Sequence, residues 1–125
     1  MIAVIIVLIV VGIFLYRAFP LISVTGASMF PTYQNGEIVV GTRLFRVCNL
    51  RKGDVIVYKS PTEKDRLVIK RIRYIVKDSK NEYLLYCVGD NHNASYDSRY
   101  YGHFSSNRIV CKVLDQRRNM NDVCD

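Results

Sequence analysis

Arg66-Leu67-Val68-Ile69-Lys70-Arg71-Ile72-Arg73-Tyr74-Ile75-Val76 is the stretch that decides how this chain is built. Its Val, Ile and Tyr content predicts a β-strand over Arg66–Lys77. Successive strand side chains alternate between faces. Val68, Lys70, Ile72, Tyr74 and Val76 then share one face, and Leu67, Ile69, Arg71, Arg73 and Ile75 the other. Lys70 is thereby the one charge on an otherwise apolar face, whereas Arg71 and Arg73 share the more polar one. Desolvation disfavours an ammonium group and lowers its pKa. An amine that is neutral near pH 7 accepts protons. Taken alone, Lys70 reads more readily as a residue at a frayed edge whose amine snorkels to water.

Outward from this strand, five more runs rich in Val, Ile, Leu or Tyr lie between turn residues: Pro20–Gly26, Glu37–Thr42, Asp54–Lys59, Glu82–Gly89 and Arg108–Leu114. Asn35-Gly36 and Lys52-Gly53-Asp54 are turn signals. Short strands at close spacing predict a mostly β fold, a curled antiparallel sheet or partial barrel. Before them, Ile2 to Tyr16 carries no charge and Arg17 ends the run. A spanning helix needs about 20 apolar residues, with a lower limit of roughly 17. The run is therefore read as one N-terminal transmembrane helix, an uncleaved anchor, since a signal peptide's basic leader and A-x-A site are missing. The 125 residues divide into an anchor over 1–17, a β-rich domain over 18–116 and a polar tail over 117–125.

The net charge is +7. Its scatter and the lack of a nucleic-acid motif argue against a nucleic-acid partner and for a face resting on anionic lipid. Cys48, Cys87, Cys111 and Cys124 form no CxxC pair, so no zinc or other metal site is expected. Cys87 and Cys111 sit in apolar runs and read as small core residues.

Two polar segments carry candidate chemistry. Gly26-Ala27-Ser28-Met29-Phe30-Pro31-Thr32 follows the first expected strand. A serine before a proline turn is most often a turn or cap residue. Gly89-Asp90-Asn91-His92-Asn93-Ala94-Ser95-Tyr96-Asp97-Ser98-Arg99-Tyr100-Tyr101-Gly102 is dense in polar and turn residues, as a surface loop would be. Taken together the segments say more. S-M-x-P-T, then Gly53-Asp54 before a hydrophobic strand, then Lys70-Arg71, then G-D-N-x-x-x-S-x-D-S-R-x-x-G, in that order, resemble type I signal peptidases of the bacterial kind.

That resemblance implies a membrane-bound endopeptidase that cleaves N-terminal signal peptides from exported preproteins, without a cofactor. It makes Ser28 the nucleophile and Lys70 the general base, and gives Ser95 the role of holding the lysine amine. Asp97 and Arg99 become a bracing ion pair, and Asp90 and Asn91 shapers of the same loop. A serine hydroxyl is a weak nucleophile until a base takes its proton, and Ser–Lys pairs do this without histidine. The oxyanion needs donors aimed at it; the Ser28 backbone N–H is the first, and Gly26 leaves the second unassigned. Val24, Met29 and Val68 are expected to line shallow pockets for small residues at −1 and −3. The implied partners are preprotein signal peptides and membrane lipid. The implied location is the plasma membrane, single-pass, with the catalytic domain extracytoplasmic, although Arg17 alone favours the reverse orientation. Relatives follow the K-R pair with a G-L-P-G-D-like turn, where this chain reads Ile72-Arg73-Tyr74-Ile75-Val76. Many also insert a second β-domain where only 18 residues separate Lys70 from Gly89. A self-processing Ser–Lys peptidase and an inactive membrane-tethered scaffold of the same fold are the alternatives. The apolar anchor argues against the first, and the retained Ser28, Lys70 and Ser95 against the second.

Overall fold

A computed structural model of the chain describes residues 1–64 and 66–119. Its elements are helix α1 (Ile2–Ala18), strands β1 (Leu21–Ser23), β2 (Ile38–Thr42), β3 (Val55–Lys59), β4 (Leu67–Lys77) and β5 (Tyr83–Val88), helix α2 (Ser98–Tyr101), and strands β6 (Phe104–Ser105) and β7 (Ile109–Val113). All seven strands join one antiparallel sheet in the order β1-β2-β7-β3-β4-β5-β6. The fold is mostly β, a curled antiparallel sheet, as expected from the Val/Ile runs.

The sheet buries apolar side chains on both faces. β3 sits at its centre, so Val55 and Val57 enter one cluster with Val24, Met29, Tyr33, Val39, Ile69, Cys111 and Val113. Ile56 and Tyr58, of opposite parity, enter a second with Leu50, Ile72, Leu85, Cys87 and Phe104. Cys87 and Cys111 are core residues, as read from the sequence. Cys124 and the end of the expected tail, 120–125, lie outside the described residues. Arg117, at the tail's start, pairs with Glu37 and Asp115.

Three expectations are corrected. The strict alternation along β4 fails at Arg73: Ile72 pairs with Cys87 and Tyr74 with Tyr86, a bulge of one residue. Ile72 and Ile75 therefore pack on the same cluster, while Tyr74 turns outward and stacks on Tyr86. The face expected to be the more polar one is buried at Ile69 and Arg71: Ile69 belongs to the core, and Arg71 is 8% exposed and paired with Asp90. The third concerns the anchor. The apolar run does form a helix, but its 17 residues rise only about 25 Å, short of a hydrocarbon core about 30 Å thick. Among the described residues no helix is long and apolar enough to cross a membrane.

Candidate active site

β4 carries Lys70 to the rim of the second cluster, and the loop after β1 carries Ser28 to meet it. The Lys70 amine donates to Ser28 Oγ at 2.8 Å. Lys70 is 5% exposed. Burial pulls its pKa from the ordinary 10.5 down to about 8; Asp97 pulls the other way, and Arg66 and Arg99 assist the fall. Both sequence expectations for Lys70, an apolar setting and nearness to a nucleophile candidate, describe where it sits.

The Ser28 loop is held from the Gly89–Gly102 segment. Asn91 donates its backbone N–H to the Ser28 carbonyl at 2.9 Å and its side-chain amide to the Ala27 carbonyl at 3.0 Å. Asp90 accepts from the Thr32 hydroxyl at 2.5 Å and from Arg71 through Nε and Nη2, both at 2.8 Å. Arg71 also donates to the Gly53 carbonyl at 2.7 Å. Asp90 and Asn91 thus fasten both flanks of Ser28 to the strand that bears Lys70. Among the described residues the Ser28 N–H donates to no acceptor, which leaves it free for an oxyanion. The Gly26 N–H is given to Asn35 Oδ1 at 3.0 Å.

Asp97 and Arg99 form the expected ion pair, Nε to Oδ1 at 2.9 Å. Burial opposes ionisation of Asp97, but donors from Arg99, Ser95 and the Gly89 N–H outweigh it and hold its pKa below the usual carboxylate value. Ser95 gives its hydroxyl proton to Asp97 Oδ2 at 2.6 Å; the structure links it to Asp97 rather than to the lysine amine. Its oxygen still borders the site, because a Cβ on Gly89 would lie 2.2 Å from Ser95 Oγ and 2.6 Å from the Ser28 carbonyl oxygen.

Gly89 is a residue whose importance the sequence alone did not show. One neighbour of its missing side chain is backbone and the other is tied to Asp97, so neither yields cheaply. Gly89→Ala is expected to displace Ser28 and lower kcat/KM by about 100-fold, the cost of a misplacement near 1 Å. Retention of the wild-type rate by a folded Gly89→Ala chain would show that the loop absorbs the methyl group.

A cleft of about 560 Å³ opens beside Ser28 and Lys70, walled by Ile22 and Ser23 of β1, Val68 and Ile69 of β4, and Tyr96. Of the expected lining, Val68 is on the wall. Val24 and Met29 are instead each 1% exposed and belong to the core. Nearness in sequence to Ser28 misled there, because both side chains point beneath the loop. Ile22 is the better guess in hindsight, since strand alternation separates it from its exposed neighbours Leu21 and Ser23.

A family model described as signal peptidase, peptidase S26, matches residues 1–73 of the 125. The match takes in Ser28 and Lys70 and stops before Gly89. Mitochondrial inner membrane protease subunit 1 of Mus musculus is 32% identical over 94 residues, covering 62% of this chain and 57% of the relative. The Homo sapiens protein of the same name is 31% identical over the same length, with the same coverage. The chain thus spans little more than half the length of these curated relatives.

Proposed function

The chain belongs to the signal peptidase family, peptidase S26, and we propose that it is a membrane-attached serine endopeptidase that removes signal peptides from preproteins, with Ser28 as nucleophile and Lys70 as base. The observation that carries this reading is the 2.8 Å contact between a desolvated lysine amine and a serine hydroxyl beside an open cleft. A neutral Lys70 takes the Ser28 proton along that line as Oγ attacks the scissile carbonyl. The freed Ser28 N–H meets the developing oxyanion. Lysinium then gives the proton to the leaving amine, and water repeats the sequence on the acyl-enzyme. Asp97 and Arg99 brace the loop, and Asp97 also accepts the Ser95 hydroxyl.

β1 is an edge strand that borders the cleft. An extended peptide can add to such an edge, its backbone bonded and its alternate side chains read by pockets. Ile22 and Val68 narrow the wall, which favours small residues at −1 and −3. The names of the relatives support a membrane setting. Residues 1–17 are proposed as the attachment and 18–116 as the catalytic unit. A placement with that unit outside, held by residues 1–17 at the plasma membrane or its organellar equivalent, meets exported preproteins as they emerge. The test is cleavage by the full chain, in detergent or lipid, of a preprotein bearing Ala at −1 and −3, against one bearing Leu at −1. Cutting of the first alone at the signal-peptide junction is expected. Binding without cutting would sink the enzyme reading, and cutting of only its own chain would favour self-processing.

The Lys70 environment fixes the pH dependence. Below about pH 8 the folded lysine is charged, so kcat/KM is expected to rise about tenfold per pH unit up to that point and then level off. Stability has its own window. Between about 8 and 10.5 the unfolded chain binds the proton that the folded chain has released. Unfolding stability therefore rises with pH across that window and is lowered by the full desolvation cost beneath it. An acidic limb centred near 10.5 in the rate profile would show that the base is not a buried lysine.

A further inference from the structure

The cleft has two chemically different ends. β1 and β4 form its opposite walls, and the antiparallel pairings that link them through β2, β7 and β3 make them run in the same direction. Both strands point at the dyad: β1 leads into the Ser28 loop, and β4 carries Lys70. The far end, where both strands begin, is charged. Arg43, Glu63 and Arg66 line the cleft there. The Arg43 N–H bonds the Ala18 carbonyl at 2.9 Å, just before β1. Glu63 belongs to the turn between β3 and β4, and Arg66 immediately precedes Leu67 of β4.

These charges face the cleft and have little structural work. Arg43 lies close enough to Cys111, another lining residue, to oppose the rise that burial imposes on the thiol pKa. Arg43 is exposed and has no ion-pair partner among the described residues. Arg66 Nη1 meets Glu63 Oε2 at 2.6 Å, with the two side chains 65% and 42% exposed. Ion pairs so open to water add little to stability. Two cations therefore stand against one anion at this end.

Spacing says which part of a substrate reaches them. A strand rises about 3.3 Å per residue, so Arg66 lies about 13 Å from Lys70 along β4. With residue −1 of an extended preprotein beside Lys70 and −3 beside Val68, −5 falls beside Arg66. Residues −1, −3 and −5 share one face of an extended chain. The face that offers small side chains to Ile22 and Val68 thus offers residue −5 to the two arginines. We propose that Arg43 and Arg66 form a subsite that selects preproteins carrying an acidic residue at −5. The proposal rests on the endopeptidase reading and specifies which preproteins the chain prefers. A carboxylate at −5 pairs with Arg43 and shares the Arg66 guanidinium with Glu63, whereas a lysine there meets two like charges. The contact is remote from the scissile bond and equal in ground and transition states, so it enters KM and leaves kcat alone.

The full chain, in detergent, is given three preproteins with Ala at −1 and −3 that differ only at −5, as Glu, Gln or Lys. The ratio of kcat/KM for Glu over Lys is expected to be about tenfold, a gain of about threefold for attraction and a similar loss for repulsion. It should be carried by KM and shrink at about 1 M salt, where the Debye length is about 3 Å. Arg43→Gln leaves only the neutral Glu63–Arg66 pair and should bring the ratio close to one. Arg43→Glu with Arg66→Glu should reverse the order. Lys52→Glu with Lys80→Glu makes the same change in net charge away from the cleft lining and should keep the wild-type order. Equal cleavage of all three preproteins by the wild type would overturn the subsite while the endopeptidase stands. So would a Glu preference that survives both arginine variants, or one that the lysine replacements shift as far. If none of the three is cut, the endopeptidase reading itself has failed, and the subsite with it.

Discussion

Ser28→Ala and Lys70→Met are each expected to abolish preprotein cleavage, with kcat falling on the order of 10⁴- to 10⁶-fold, and the double variant no further. The non-additivity follows from the chemistry: without Oγ there is nothing for the amine to deprotonate, and without the amine Oγ stays a neutral hydroxyl. Methionine is chosen for the lysine because it fills a similar volume without a charge. Lys70 is 5% exposed, and its ammonium form is held there against desolvation. Lys70→Met should therefore melt at or above the wild-type temperature below about pH 8, where the wild type bears that cost. Loss of activity with retained or raised stability separates a catalytic lysine from a structural one. A Lys70→Met chain that cleaves at near the wild-type rate would end the proposed mechanism.

How much of this was readable in advance depends on what each feature needed. The strands were readable because Val/Ile/Tyr runs between Asn-Gly and Gly-Asp turns leave little else for the backbone to do. The six expected runs contain six of the strands, and the missed one, β6, is two residues long, too short for any periodicity. Lys70 was readable because parity before the bulge depends only on alternation. Beyond Arg73 the extra residue reversed that parity, and nothing local marks it. Arg71 was read only as part of the more polar face, since its partner Asp90 lies 19 positions away and a buried guanidinium looks no different in sequence from an exposed one. Ser95 was placed in the right region, but its proton goes to a neighbour two positions on, a choice made by tertiary packing around Gly89. The helix was readable as apolar, but its length is settled by where Phe19 leaves the helical backbone.

The largest stability effect is expected at that Arg71–Asp90 pair. Asp90 is 1% and Arg71 8% exposed, so neither charge is hydrated once its partner is gone. The carboxylate receives two bonds from the guanidinium and one from Thr32, and the guanidinium has one further acceptor at Gly53. Arg71→Met or Asp90→Leu alone strands one buried charge and should cost about 3–5 kcal/mol, a large part of the 5–15 kcal/mol typical of a domain. The double replacement removes both charges and their desolvation cost, so most of the loss should return. Activity should not return with it. Asp90 is what ties Thr32, four residues past Ser28, to β4. An apolar pair packs but offers the Thr32 hydroxyl no acceptor, so the loop loses this tie to β4 while the Asn91 bonds to Ala27 and Ser28 remain. Chemical denaturation of both singles and the double, alongside kcat/KM for the double, tests this. Singles that unfold like the wild type would mean that water reaches the pair. A double variant with restored stability and full activity would mean that the pair holds the sheet together and leaves the position of Ser28 to Asn91.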